Sequence, residues 1–113
     1  MADVIYIDYA DGIKRVVNNA KLYARLLTKF RNETKIGDLE ASLAAGNLET
    51  AQEQTHTLKG VAANLSLTEL FKQSLELETQ IKAKAVVPEQ IEIVKSVLEA
   101  TIVEIDKVIA ENG

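Results

Sequence analysis

The chain has 113 residues, 47% of them apolar and 27% charged, and its 13 Lys+Arg against 17 Asp+Glu leave a formal charge of -4. That size suits one domain spanning 1–113 with its own core, since a disordered chain would be poorer in Leu, Ile and Val, and the acidic balance lacks the basic excess that holds proteins on nucleic acid or anionic lipid. The absence of cysteine excludes disulfides and thiolate metal sites but leaves the redox compartment undecided.

No stretch approaches the ~20 apolar residues of a membrane span. Met1 to Val4 carry no basic region ahead of an apolar run, so a cytoplasmic address is expected, provided the chain is not excised from a larger protein.

Apolar residues recur at spacings of three and four along nearly the whole chain, which predicts an all-α fold. The first dozen residues are the exception: Val4 to Ile7 alternate poorly, and Asp8 to Gly12 fit either a turn or a short opening helix. From Asn18 or Asn19, either of which can cap, Leu22, Tyr23, Leu26, Leu27 and Phe30 form a stripe that predicts a helix to about Asn32. A shorter helix over Asp38 to Ala45 is stopped by Gly46, and Asn47 caps the next one, which runs from Leu48 to about Leu65. Ser66-Leu67-Thr68-Glu69 has the spacing of a capping box, so a tight turn leads into an antiparallel helix from Leu67 to about Ala85. Pro88 suits the first position of a last helix reaching about Ala110, with Ile91, Val94, Leu98, Ile102, Ile105 and Ile109 facing inward. Four long helices with short links predict an antiparallel up-and-down four-helix bundle with additional short helices.

On the helix from Leu48, the residues Leu48, Ala51, Thr55, Leu58, Ala62 and Leu65 define the buried side, and His56 lies opposite. Within about 60° of His56 on the same wheel stand Lys59, Gly60 and Ala63. A lone exposed histidine is by itself an ordinary surface residue, so the neighbours carry the signal. Glycine in a helix interior costs about 1 kcal/mol relative to alanine, and an exposed position gives no packing reason for it, so something must approach closely at Gly60. An imidazole near neutral pH is a nucleophile, and a lysine one turn away can neutralise a phosphoryl group placed on it. Lys59 is therefore expected to serve the reaction without contributing much to folding.

On the following helix, Leu67, Leu70, Phe71, Ser74, Leu75, Leu77 and Ile81 define the apolar arc, and Glu78 falls inside it. A carboxylate aimed at a bundle needs a partner, and around a turn at Ser66 positions 56 and 78 lie at similar height. Glu78 can meet His56 there, or sit at the edge of the arc and reach water.

His56-Thr57-Leu58-Lys59-Gly60 resembles the H-x-L-K-G core of histidine-containing phosphotransfer (HPt) domains. The resemblance extends through Leu39 to Asn47, Val61 to Leu65 and Leu22 to Leu27, and covers about residues 12 to 82. It implies that His56 accepts a phosphoryl group on Nε2 from a receiver-domain aspartate, or from a kinase, and passes it to another receiver. It further implies Lys59 as charge partner, Gly60 as clearance residue with Ala63 beside it on the docking face, and Glu78 in the place of a polar residue that hydrogen-bonds the imidazole. Many members carry glycine where Ala63 and Ser66 stand, so the docking face is slightly less open and the turn relies on the capping box. The expected partners are response-regulator receiver domains or a hybrid histidine kinase, and a monomer suits a carrier that exposes its acceptor.

The chain has neither a G-x-x-x-x-G-K-[ST] loop nor a glycine-rich lid, which points to a phosphocarrier rather than an autonomous kinase, with no cofactor of its own. A non-catalytic helical adaptor fits the periodicity equally well but leaves Gly60 and Glu78 unexplained. A bundle metal protein is the weakest alternative, because one His without a Glu-x-x-His pair cannot build the usual carboxylate site, and no metal ligands are expected.

Overall fold

The computed structural model describes residues 4–112, and every regular element among them is a helix: α1 (Tyr9–Arg15), α2 (Ala20–Glu33), α3 (Ile36–Ala44), α4 (Leu48–Asn64), α5 (Thr68–Lys82) and α6 (Pro88–Asn112). Residues 1–3 and 113 lie outside the described residues, so the reading of Met1 to Asp3 and the outer limits of the expected 1–113 domain rest on the sequence alone.

The four long helices α2, α4, α5 and α6 pack as an antiparallel bundle. Helices α4 and α5 form a hairpin across Leu65–Leu67, and α5 and α6 form another, in which Gln90 Nε2 donates to the Gln73 carbonyl at 3.0 Å. Arg31 near the end of α2 pairs with Asp106 of α6 at 2.7 Å, which ties the first long helix to the last. Tyr23, Leu27, Leu67, Leu70, Leu77, Val94 and Ile105 are fully buried at the centre. Each such side chain contributes on the order of 1.5–3 kcal/mol of hydrophobic stabilisation.

The caps explain where α2 and α4 begin. Asn19, not Asn18, caps α2, with its Oδ1 accepting from the Leu22 amide at 3.0 Å. Gly46 ends the α3 segment with φ at +72°, and Asn47 Oδ1 accepts from the Thr50 amide at 3.3 Å to open α4. Pro88 takes the first position of α6, as expected.

Several local expectations need correction. The helix expected over Asp38 to Ala45 starts two residues earlier at Ile36, behind Lys35, whose side chain makes no capping bond. Helix α5 ends at Lys82, because Ala83 and Lys84 turn the chain and Lys84 adopts φ +55°. Leu22 and Leu75, placed on the inward stripes, are exposed: each falls at the margin of its arc, beyond the reach of the neighbouring helix. Helix α6 runs beyond Ala110 to Asn112.

The capping box is not formed. Leu67 is the N-cap residue of α5 and makes no side-chain cap bond, while Glu69 Oε1 accepts from Gln73 Nε2 within the helix. Ser66 instead sits in the left-handed region at φ +58°, and its hydroxyl donates to Asp11 Oδ2 at 2.6 Å. The undecided opening segment supplies that partner: it is a helix, α1, capped by Asp8, whose own amide donates to the Ser66 carbonyl at 2.9 Å. Helix α1 packs closely because Gly12 faces Tyr23, where a Cβ would lie 2.3 Å from the ring carbon Cζ. Burial, with smaller contributions from Asp8 and Asp11, pushes the Tyr23 phenol up to about 12, so it stays protonated and donates to the Leu65 carbonyl at 2.5 Å. The turn that joins α4 to α5 is thus held from below by the N-terminal helix and by the core.

Candidate functional site

The alternation of buried and exposed residues on α4 follows the wheel: Ala51, Thr55, Leu58, Ala62 and Leu65 are buried, and His56 is turned outward with 69% of its side chain exposed. Lys59, Gly60 and Ala63 share its side of the helix. A Cβ added at Gly60 would meet nothing within 4 Å, so no neighbour in the fold requires the missing side chain.

The antiparallel hairpin brings Glu78 of α5 against this face. Glu78 is 2% exposed and uses both carboxylate oxygens: Oε2 lies 2.8 Å from His56 Nδ1, and Oε1 accepts from Lys59 Nζ at 2.7 Å. The ammonium of Lys59 beside it holds the Glu78 carboxyl below the usual carboxylate range, against the opposing effect of burial and with further help from the His56 bond. An ionised carboxylate can only accept, so the ring proton sits on Nδ1 and donates to Oε2. In the neutral ring the Nε2 lone pair then points away from the bundle, toward solvent. The buried carboxylate fixes the tautomer and aims the nucleophilic atom outward.

Lys59 departs from the expectation that it contributes little to folding. Only 20% exposed, it neutralises a buried carboxylate, so it belongs to the packing of α4 on α5 as well as to the face around His56. Lys82, not singled out from the sequence, stands one turn beyond Glu78 with Nζ 4.0 Å from the same Oε1. The Glu78-to-Lys82 spacing of four is legible in the sequence as a helical ion pair, but its relevance appears only once Glu78 is placed against His56.

A groove of about 1140 Å³ opens on the next flank of α4, between it and α2 and α3, lined by Leu26, Phe30, Ile36, Leu39, Thr57 and Val61 among others. None of His56, Lys59, Gly60, Ala63 and Glu78 lines it. The imidazole lies outside this groove, and no cluster of three or more His, Cys, Asp or Glu side chains suited to a metal ion occurs among the described residues.

The bundle thus holds one imidazole outward on a fixed tautomer, with a lysine and a glycine on the same side of the helix. The chain belongs to the Hpt domain family, whose model matches residues 25–107 and so takes in α4, α5 and most of α6. Histidine phosphotransfer in two-component signalling is the activity that this family carries. No curated protein and no solved structure gives a significant match to the chain.

Proposed function

We propose that the chain is a phosphocarrier of a two-component phosphorelay, with residues 1–113 forming one module and His56 as its acceptor. The observation that carries this is the pairing of a largely exposed ring with a carboxylate that is 2% exposed. Orientation comes from the interior and access from outside, which a surface histidine without function does not need.

In the transfer, Nε2 attacks the phosphorus of a receiver's aspartyl phosphate, the N–P bond forms, and the P–O bond breaks to return the receiver carboxylate. The Nδ1 proton stays in place throughout. The phosphorylated ring then carries a positive charge that Glu78 balances, so the next receiver's aspartate can displace a neutral imidazole without any proton having to move. Lys59 lies one turn from the ring and neutralises charge on the phosphoryl group in flight. Gly60 and Ala63 form the low floor on which the receiver's active-site loop lands, and the receiver brings the metal and the phosphoryl donor. Partner receivers or a hybrid kinase, a cytoplasmic setting and a monomeric carrier fit this chemistry.

Incubation with a receiver domain phosphorylated on aspartate tests it. Label should move to this chain, survive alkali and be lost in acid, as a phosphoramidate does, and should fail to appear on the His56→Gln protein. Label on the His56→Gln protein would sink the assignment, because the chain has a single histidine. A bundle that folds and binds receivers without ever taking label would be an adaptor.

A further inference from the structure

Lys59 has two anionic groups to serve, one buried and one arriving from solvent. In the resting protein its Nζ is bound to Glu78 Oε1 at 2.7 Å, while the phosphoryl group it is to neutralise would arrive on the solvent side of the imidazole. Turning toward that group would strip Oε1 of its hydrogen bond, and Glu78 is 2% exposed, so water cannot replace the donor freely. An unbalanced buried carboxylate would hold the lysine back.

Lys82 supplies the missing cation. Its Nζ stands 4.0 Å from that same oxygen, just outside hydrogen-bonding distance, and it makes no other ion pair among the described residues. It is 57% exposed, so it can change rotamer freely, and its position four residues after Glu78 on α5 lets a small motion close the gap. The carboxylate thus has one lysine in contact and a second in waiting, one on each of the two helices it joins.

We propose that Lys82 is a positioning residue that takes over Glu78 Oε1 as Lys59 swings to the phosphoryl group, so that the buried carboxylate keeps a cation in both states. The exchange deepens the phosphocarrier reading and rests on it. Charge is conserved locally: the incoming phosphoryl group brings negative charge, Lys59 moves to it, and Lys82 restores the balance at Glu78. His56 keeps its Nδ1–H bond to Oε2 throughout.

Potassium phosphoramidate serves as a small donor that needs no partner: Nε2 attacks phosphorus, the donor's P–N bond breaks and ammonia leaves. With lysine labelled in 13C and 15N, the Lys59 ammonium should be the protected one in the resting protein, and after phosphorylation protection should pass to Lys82. The His56→Gln protein treated alike should show no such passage. Lys82→Met should slow phosphorylation roughly two- to five-fold, the range of an exposed helical ion pair, and Lys82→Arg should restore it. In the Lys59→Met background Lys82→Met should slow it no further, since no lysine is left to release. Equal slowing in both backgrounds would mean that Lys82 acts only through its general field, and an unprotected Lys82 in the phosphorylated protein would mean that no exchange occurs; either result overturns the proposal. Failure of the wild type to take phosphate on His56 would overturn the carrier reading itself, a different and separately visible outcome.

Discussion

At Glu78 a single carboxylate serves both helices of the hairpin, and its titration gives the site a pH dependence of definite sign. The fold holds its carboxyl below the usual range, mainly through Lys59, so its stabilisation is present above the ordinary carboxylate pKa and lost as pH falls through the lowered folded value. Glu78→Gln should therefore destabilise by about 1–2 kcal/mol near neutrality, and the difference from wild type should shrink in acid, as urea titrations across a pH series would measure. A difference that stays constant into strong acid would show that the carboxylate is not the ionised partner. Lys59→Ala should both slow transfer and lower stability by about 1 kcal/mol, because it leaves that carboxylate short of a donor. Gly60→Gln should go the other way on stability, gaining up to about 1 kcal/mol of helix propensity in open space, while weakening receiver binding in a titration of the complex. Glu78 was legible because a carboxylate on an apolar arc is costly without a partner. The burial of Lys59 was not, since a lysine on the polar side of a wheel gives no sign that the next helix reaches over it.

Among the elements, the long helices announce themselves through period and caps, and the misreadings fall where one element leans on another. Helix α1 has only seven residues, and what makes it fold is its fit against Tyr23 and the Ser66 turn rather than any strong pattern of its own. The spacing of Ser66 and Glu69 fits a capping box, yet the left-handed conformation of Ser66 turns its hydroxyl to Asp11 instead, a contact 55 residues away in sequence. That conformation explains why glycine suits the position. Replacing Ser66 with glycine or alanine removes the hydroxyl alike, but only alanine keeps the strain of φ +58°, so Ser66→Gly should melt above Ser66→Ala by about 1 kcal/mol in stability. Equal melting temperatures would show that the turn relaxes to another conformation.

Across the whole molecule, the apolar side of α4 faces the core, whereas the side that bears His56 carries the proposed site and, through the Lys59–Glu78 pair, a share of the packing. His56→Gln should leave cooperative unfolding intact and abolish uptake of label. Leu58→Ala removes buried methyl groups from a side chain that is 8% exposed and should cost roughly 2–4 kcal/mol, lowering uptake only as far as the bundle loosens. Circular dichroism melts alongside phosphorylation assays separate the two. The bundle was readable as a whole because each long helix shows one apolar face to a common core. The site was readable because the hairpin fixes which residues of α5 stand level with His56.

The hairpin also makes the α4–α5 register a chemical quantity. One residue of helix rises about 1.5 Å, about half the length of the His56–Glu78 bond, so a slip of a single residue would leave the imidazole without its acceptor. Register is set at Ser66, ten residues along the chain from His56, where α1 grips the turn. In the proposed carrier, a lengthened or loosened turn there would mistune His56 as a leaving group, half-way along α4, while the bundle still folds, which would make the N-terminal helix a tuning peg for a site it never touches.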